Sequence, residues 1–366
     1  MKDLVSPRIS AIAPYQPGKP IEELHRELGA SWPKEGAIKL ASNENPLGPS
    51  PKAVQAARAA LEEAHLYPDG ASFQLTAKLA SMLKVQPAQI VCGSGSNELI
   101  DLLVQTYCDT DEEVLAPAVS FSCYRLSAEA HRRPFRESPN GPGFAYQLDA
   151  LVDAVGPSTK LVFLANPNNP TGVYANQKEF SRFFERLPDD VLLVVDEAYL
   201  EYVRASDYPD ALDHLPKRER MVTLRTFSKI YGLASLRVGY LVGHAQVVQY
   251  LHRTRMAFNV SSIGQAAARA ALDDVEHVQR SRELNAAELP KLETRLRALG
   301  LGVTPSQTNF VLVDLGRAAQ PIYQALLHRG VIVRPLLPYG LPNHLRITVG
   351  TPTQNERLLA ALAEVL

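Results

Sequence analysis

The 366-residue chain holds only three cysteines, Cys92, Cys108 and Cys123. No two of them form a CxxC pair, so neither a disulfide framework nor a zinc site is expected, and all three read as reduced core thiols. No apolar run reaches the length needed to span a membrane. The opening residues, Met1-Lys2-Asp3-Leu4-Val5-Ser6-Pro7, lack the apolar stretch of a signal peptide. Charge of one sign is not in excess either: 38 Lys and Arg stand against 39 Asp and Glu. A general nucleic-acid binder needs a basic surface, so that class is set aside, while a local basic pocket is not. Internal repeats and low-complexity tracts are missing too. What remains is a cytoplasmic globular protein, long enough for one large domain and a smaller one.

The first 50 residues are rich in proline and turn residues, with Pro14-Tyr15-Gln16-Pro17-Gly18-Lys19-Pro20 and Ser42-Asn43-Glu44-Asn45-Pro46-Leu47-Gly48 flanking a predicted helix over Ile21 to Leu28. A disordered linker would hold fewer apolar and aromatic residues, so this arm is read as ordered and packed on the body. Ser50-Pro51 caps and opens a helix to about Ala64. Beyond a turn at Leu66 to Gly70 and a helix over 72–84, predicted strands alternate with helices. The strands fall at Gln89 to Cys92, Glu113 to Ala116, Lys160 to Ala165, Val191 to Val195, 221–225 and Arg237 to Val242; residues 137–146 read as a polar loop. Alternation of this kind argues an α/β fold with a mostly parallel sheet flanked by helices. From about Val260 helices dominate: Ile263 to Leu272, then Val275 to Leu299 with a break before Pro290. Strands at Thr308 to Val313, Val331 to Arg334 and Leu345 to Val349, a helix over 318–329, and a final helix with a Thr353/Glu356 capping box complete a small α+β domain. The division expected is an arm over 1–47 that joins the small domain, a large domain over 48–272 and a small domain over 273–366.

Four polar loops follow strand C-terminal ends, where open α/β sheets bind ligands. The turn Gly93 to Glu98 precedes an apolar helix from Leu99 to Tyr107, and a helix N-terminus with free amides suits an anion. It matches neither GxGxxG nor the GK[ST] of a P-loop. Asn169 lies in Asn166-Pro167-Asn168-Asn169-Pro170-Thr171-Gly172, and Asp196 ends an apolar strand as Asp196-Glu197-Ala198-Tyr199. Lys229 stands in Thr226-Phe227-Ser228-Lys229, with Arg237 eight residues on. Each stretch by itself reads as an ordinary turn or strand end. Together they offer a reachable lysine for a Schiff base, hydroxyls and an arginine for a phosphate, and a buried carboxylate for a ring nitrogen. Pyridoxal phosphate carries an aldehyde and a phosphate, and so matches this set.

In this order the motifs resemble those of the fold-type I pyridoxal-phosphate aminotransferases of class I/II. More narrowly, Pro14 to Pro20, Ser42 to Pro46, Tyr67-Pro68-Asp69 and Leu345-Arg346-Ile347-Thr348-Val349-Gly350-Thr351 resemble the histidinol-phosphate aminotransferase family, nearly end to end. The subfamily motifs are shared by relatives acting on aromatic amino acids. The resemblance implies that Lys229 binds the cofactor aldehyde, that Asp196 faces the ring nitrogen, and that Tyr199 and Asn169 face the ring oxygen. Gly95, Ser96, Asn97, Thr226, Ser228 and Arg237 would hold the phosphate, with Tyr67 reaching it from the neighbouring subunit of a homodimer. Phe121 would stack on the ring; many relatives have tyrosine there, so a hydroxyl contact would be missing. Arg346 and Arg334 would bind the anionic groups of histidinol phosphate and of glutamate or 2-oxoglutarate, while Tyr15 and Asn43 close over the substrate. The implied activity is transamination between these substrates in histidine biosynthesis. Alternatives within the fold are an aromatic amino acid aminotransferase and a phosphothreonine decarboxylase. A transcription regulator would need a winged-helix module ahead of residue 50, for which the arm lacks room and basic charge.

Overall fold

The computed structural model describes residues 4–366. The first three residues of the segment read above for a leader lie outside them. In chain order the strands are β1 (Ile38–Lys39), β2 (Ile90–Gly93), β3 (Glu113–Pro117), β4 (Phe135–Ser138), β5 (Thr159–Ala165), β6 (Leu192–Asp196), β7 (Met221–Thr226), β8 (Gly239–Gly243), β9 (Gly302–Thr304), β10 (Phe310–Asp314), β11 (Val331–Ile332), β12 (Arg334–Leu336) and β13 (Leu341–Thr348). Seven of them form one sheet in the order β2-β8-β7-β6-β5-β3-β4. All neighbours pair in parallel except β8, which runs antiparallel to both β2 and β7.

Why the central strands read as unbroken apolar runs is visible in their packing. Val162, Leu164, Leu193 and Val195 point into one buried cluster, and Leu161, Phe163, Leu192 and Val194 into another. Successive side chains alternate faces, so a strand covered on both sides must be apolar at every position. A third core lies away from this sheet. It joins Leu24, Leu40 and Ala41 of the arm to residues between Leu289 and Leu362. The arm is tied there by β1, which pairs in parallel with β11.

Several expectations are corrected. The loop read over 137–146 begins inside β4, and a short helix, Leu148–Asp153, follows it; another helix, Ala245–Thr254, was not read. β4 shows why: as an edge strand exposed at Arg136 and Glu137 it lacks an apolar signature. The glycine turn is tighter than expected, because Gly95 is already the first residue of the helix Gly95–Tyr107. The stretch Val331 to Arg334 is two strands in different sheets: β11 pairs with β1 and β12 with β13. The final helix starts at Pro352, capped by Thr351 with Gln354, not by Thr353 with Glu356. Proline has no amide to donate and suits the first turn, which moves the box two residues earlier.

The helix Val275–Ala298 runs through Pro290 unbroken. Proline removes the amide that would bond the Ala286 carbonyl. Arg204 Nη1 donates to that carbonyl instead, at 3.3 Å.

The sheet aligns the ends of five strands along one edge. Ala165 is level with Asp196, Asp196 with Leu224, and Gly239 with both Thr226 and Gly93. The loop after β7 packs tightly on the arm. Gly232 has φ +68°, and a Cβ there would lie 2.2 Å from the Gly48 carbonyl oxygen and 2.9 Å from Pro49 Cα. Backbone atoms cannot swing aside, so Gly232→Ala is expected to cost about 2–4 kcal/mol, from strain plus overpacking. Urea unfolding of the purified variant checks this; a loss under about 1 kcal/mol would show that arm and loop separate readily.

Candidate active site

A cleft opens at this aligned edge, and its walls come from every part of the chain. Of the residues singled out in the sequence, it gathers Tyr15, Asn43, Ser96, Asn97, Phe121, Asn169, Asp196, Tyr199, Thr226, Ser228, Lys229, Arg237, Arg334 and Arg346. Gly95 lies just behind the wall. Tyr67 does not join them: it is 84% exposed, stacked on Phe258 at 4.8 Å between ring centroids.

One end of the cleft is built for an anion. The amides of Gly95, Ser96 and Asn97 belong to the first turn of their helix and have no intrahelical acceptor. Arg237 sits against them. A Cβ on Gly95, at φ +76°, would fall 2.2 Å from Arg237 Nη2, so glycine is what lets the guanidinium approach the turn. Arg237 precedes β8 in a left-handed conformation and reaches back because β8 is antiparallel to β7. Its Nη1 donates to Ser228 Oγ at 3.3 Å and the Ala234 carbonyl at 3.1 Å, and among the described residues no carboxylate pairs with it. Free amides, a hydroxyl and a guanidinium without a counter-ion fit a phosphate.

At the middle stands Asp196, 5% exposed at the tip of β6. Burial pushes its pKa up to about 6. Two hydrogen bonds oppose this: the Tyr124 hydroxyl donates to Oδ2 at 2.8 Å, and the Ala198 amide donates to Oδ1 at 3.1 Å. Tyr124 is a site residue that the sequence reading missed. Its position on a helix face reads only as core, and the ring does stack on Phe163 at 4.5 Å. The neighbouring Glu197 faces away, fully buried, where Arg225 donates to its Oε2 at 3.0 and 2.8 Å.

Lys229 is partly accessible through the cleft yet surrounded by protein. Burial first, then the positive charge of Arg346, lowers its pKa to about 8. Its Nζ donates to the Ser42 carbonyl at 3.2 Å and lies 5.6 Å from the Tyr199 ring centre. The Tyr199 hydroxyl accepts from Asn43 Nδ2 at 2.8 Å.

The far end holds two arginines. Arg334 on β12 and Arg346 on β13 are cross-strand partners, 6% and 7% exposed. Like charges in that relation repel. Arg346 donates to Asn169 Oδ1 at 2.6 Å and the Ala41 carbonyl at 2.8 Å. Arg334 has no ion pair or hydrogen bond among the described residues; its guanidinium lies 5.6 Å from the Tyr15 ring centre. Burial lowers its pKa. An anion would satisfy both guanidinium groups at this end.

A lysine of lowered pKa, a buried carboxylate and arginines lacking carboxylate partners among the described residues, in one cleft, suit a lysine-centred transfer chemistry. Comparison with known families agrees. Residues 35–362 match the family model for aminotransferase class I and II, and the chain belongs to that family. Its relatives carry a narrower name. It is 50% identical to the histidinol-phosphate aminotransferase of Anaeromyxobacter sp. (strain Fw109-5) over 99% of both chains. It is 45% identical to histidinol-phosphate aminotransferase 2 of Pseudomonas aeruginosa, over 99% of this chain and 98% of that one. A crystal structure of histidinol-phosphate aminotransferase from Sinorhizobium meliloti in complex with pyridoxal-5'-phosphate superposes with a TM-score of 0.89 at 30% identity, covering 99% of this chain and 97% of that one. The expected fold-type I architecture is thereby met.

The lysine's low pKa has a thermodynamic sign. Between about 8 and its ordinary 10.5 the unfolded chain binds the extra proton, so this group's contribution to stability rises with pH through that window. With nothing bound in the cleft, Lys229→Met is expected to melt at or above the parent at pH 7. That advantage should vanish as pH rises from about 8 to 10.5. Calorimetry of both proteins across this range is the check, and a pH-independent difference would contradict a buried, depressed lysine.

Proposed function

We propose that this chain uses pyridoxal phosphate to transfer an amino group between L-histidinol phosphate and 2-oxoglutarate, forming imidazole-acetol phosphate and L-glutamate, and that it works in the reverse direction in histidine biosynthesis. The observation that carries the substrate reading is the buried pair Arg334 and Arg346, at one end of a cleft whose other end already offers a separate phosphate cradle. Two arginines suit a phosphate dianion, and they also suit the distal carboxylate and α-carboxylate of the dicarboxylic partner. The names of the full-length relatives support the same substrate.

The cofactor fits the residues present. Gly95, Ser96, Asn97, Thr226, Ser228 and Arg237 would hold its phosphate, Asp196 its ring nitrogen, Asn169 and Tyr199 its ring oxygen, and Phe121 would offer an aromatic face to the ring. When bound, pyridoxal phosphate supplies an aldehyde for an amine to join and a ring that accepts the electron pair left when the α-proton departs. The rest is the protein's work. Asp196 must be charged to hold a protonated ring nitrogen, and the Tyr124 hydroxyl and Ala198 amide favour that charge against burial. Lys229, with a pKa near 8, keeps a neutral fraction at physiological pH and can take the α-proton and return it. Its hold on the Ser42 carbonyl keeps the amine at the cleft floor. Tyr15 and Asn43 belong to the arm and cover the substrate, which excludes water from the proton transfer.

The reading extends to a cytoplasmic homodimer in which Tyr67 reaches the partner's phosphate. An exposed apolar surface supports it: Tyr67 and Phe258 stack on each other, with Leu66 and Met256 exposed beside them in sequence. With it goes the division into an arm (1–47), a large domain (48–272) and a small domain (273–366), supported by the separate cores.

Lys229→Ala should abolish turnover and the cofactor's bound absorbance band; transamination retained in that variant would sink the proposal. Arg334→Ala should lower kcat/KM for histidinol phosphate by about 100-fold, as loss of a charge-assisted phosphate contact does, and that for phenylalanine by less than about 3-fold. Steady-state kinetics on both substrates decide this. Equal losses would remove the phosphate role of Arg334 and favour an aromatic amino acid substrate.

A further inference from the structure

Three buried polar atoms have no hydrogen-bond partner among the described residues: Tyr202 Oη, Asn285 Oδ1 and Asn309 Oδ1. Their residues are 3%, 5% and 1% exposed. Unpaired groups this deep are rare in native proteins. All three residues line one small cavity of about 10 Å³. That is close to the size that admits a single water, about 10–15 Å³.

The orientation of the two amides is set from their other ends. Asn285 Nδ2 donates to the Thr308 carbonyl at 3.0 Å, and Asn309 Nδ2 donates to the Asn43 carbonyl at 3.1 Å. Both amide oxygens therefore turn away from those contacts, and both remain unpaired. Burial pushes the Tyr202 hydroxyl pKa upward, so it is neutral and has a proton to give; the Asn309 side chain lies close enough to act in the opposite direction, yet no group among the described residues meets the geometry of a hydrogen bond to Tyr202 Oη. Ser281, also on the wall, is already committed: it donates to the His277 carbonyl at 2.9 Å and accepts from Asn45 Nδ2 at 2.8 Å. Pro46, Leu284 and Val349 make the remaining wall apolar. The three unpaired atoms, carried by residues that share this cavity's wall, are one donor and two acceptors. A water molecule that accepts from Tyr202 and gives its two protons to Asn285 and Asn309 satisfies all three.

We propose that this cavity binds one ordered water, and that Asn309, braced by it, is a positioning residue for the reaction. The water would join three separate elements: the turn Leu200–Tyr202 after β6, the long helix Val275–Ala298, and the entry to β10. From Asn309 the chain of contacts leads into the cleft. Its Nδ2 holds the Asn43 carbonyl, and Asn43 Nδ2 donates to the Tyr199 oxygen at 2.8 Å. Asn43 has φ +58°, a left-handed conformation uncommon for a residue other than glycine, so its backbone needs such a hold. With one lone pair of Tyr199 occupied by Asn43, its hydroxyl proton is left to point into the cleft. The water site needs no functional reading; the positioning role rests on Tyr199 facing the cofactor's ring oxygen.

A crystal structure of the holoenzyme at a resolution that shows ordered solvent tests the site. We expect one peak within about 2.6–3.2 Å of all three atoms. An empty cavity, or a direct Tyr202–Asn309 hydrogen bond that closes it, overturns the proposal. The positioning role is tested by pH titration of the bound cofactor's absorbance in Asn309→Ala, with Asn309→Ser as the variant if the first folds poorly. A weakened Tyr199 bond to the ring oxygen should move the midpoint upward by about half a pH unit or more. An unmoved midpoint with a lowered melting temperature would make Asn309 structural only and overturn its role. Failure of the functional reading looks different, because the parent protein would then show no cofactor band at all.

Discussion

A carboxylate at the tip of a fully covered strand is the constraint on which the site depends. Asp196 sits where burial disfavours charge, and its pKa is pushed up to about 6. Without the hydrogen bonds that already oppose burial its pKa would stand higher still, and it would take up a proton readily and lose its use as an anion. The Tyr124 hydroxyl and the Ala198 amide each spend a hydrogen bond on its two oxygens. Tyr124 can do so only because its helix, Cys123–Ala130, packs against the sheet with the ring stacked on Phe163 of β5. The packing of one aromatic core pair thus governs the charge of the residue at the centre of the cleft.

The second dependence is on the arm. Residues 41–45 touch the cleft's principal groups through backbone and amide contacts: the Ala41 carbonyl accepts from Arg346, the Ser42 carbonyl from Lys229, and Asn43 binds the Tyr199 hydroxyl. Asn45 donates to the Ile230 carbonyl in the lysine loop at 2.7 Å and to Ser281 on the long helix at 2.8 Å. A five-residue segment far from the lysine in sequence therefore sets lysine, arginine and tyrosine relative to one another. Because the contacts to Arg346 and Lys229 use the segment's own backbone carbonyls, the position of the segment matters as well as its side chains.

The motif Asp196-Glu197-Ala198-Tyr199 shows how far a string of residues can be read. Its order with Asn169, Lys229 and Arg237 pointed to one crevice, and the structure gathers them in one cleft, since each stretch followed an apolar run and strand ends share one edge of a parallel sheet. The same string does not say that Asp196 turns to the cleft while Glu197 turns to a buried pair with Arg225. Alternation along the strand and the register between β6 and β7 decide that. Tyr124 was illegible for a related reason: one tyrosine on an apolar helix face has the pattern of core, and only its approach to Asp196 marks it. Likewise the edge strand β4 lacks the apolar run by which its neighbours were found.

The sequence by itself determined the alternation of strands and helices, the cap of the helix at Ser50, and the set of loops that meet at the cleft. These are local matters of periodicity, backbone freedom and capping chemistry, and they act over a few residues. Tertiary structure alone decided that Arg334 and Arg346 stand opposite each other, that Arg204 completes the helix across Pro290, and that residues 41–45 bind the lysine loop. These join groups 12, 82 and 185 residues apart. Such distances are closed by strand register and core packing, which depend on the whole chain at once and leave no mark in any short stretch of it.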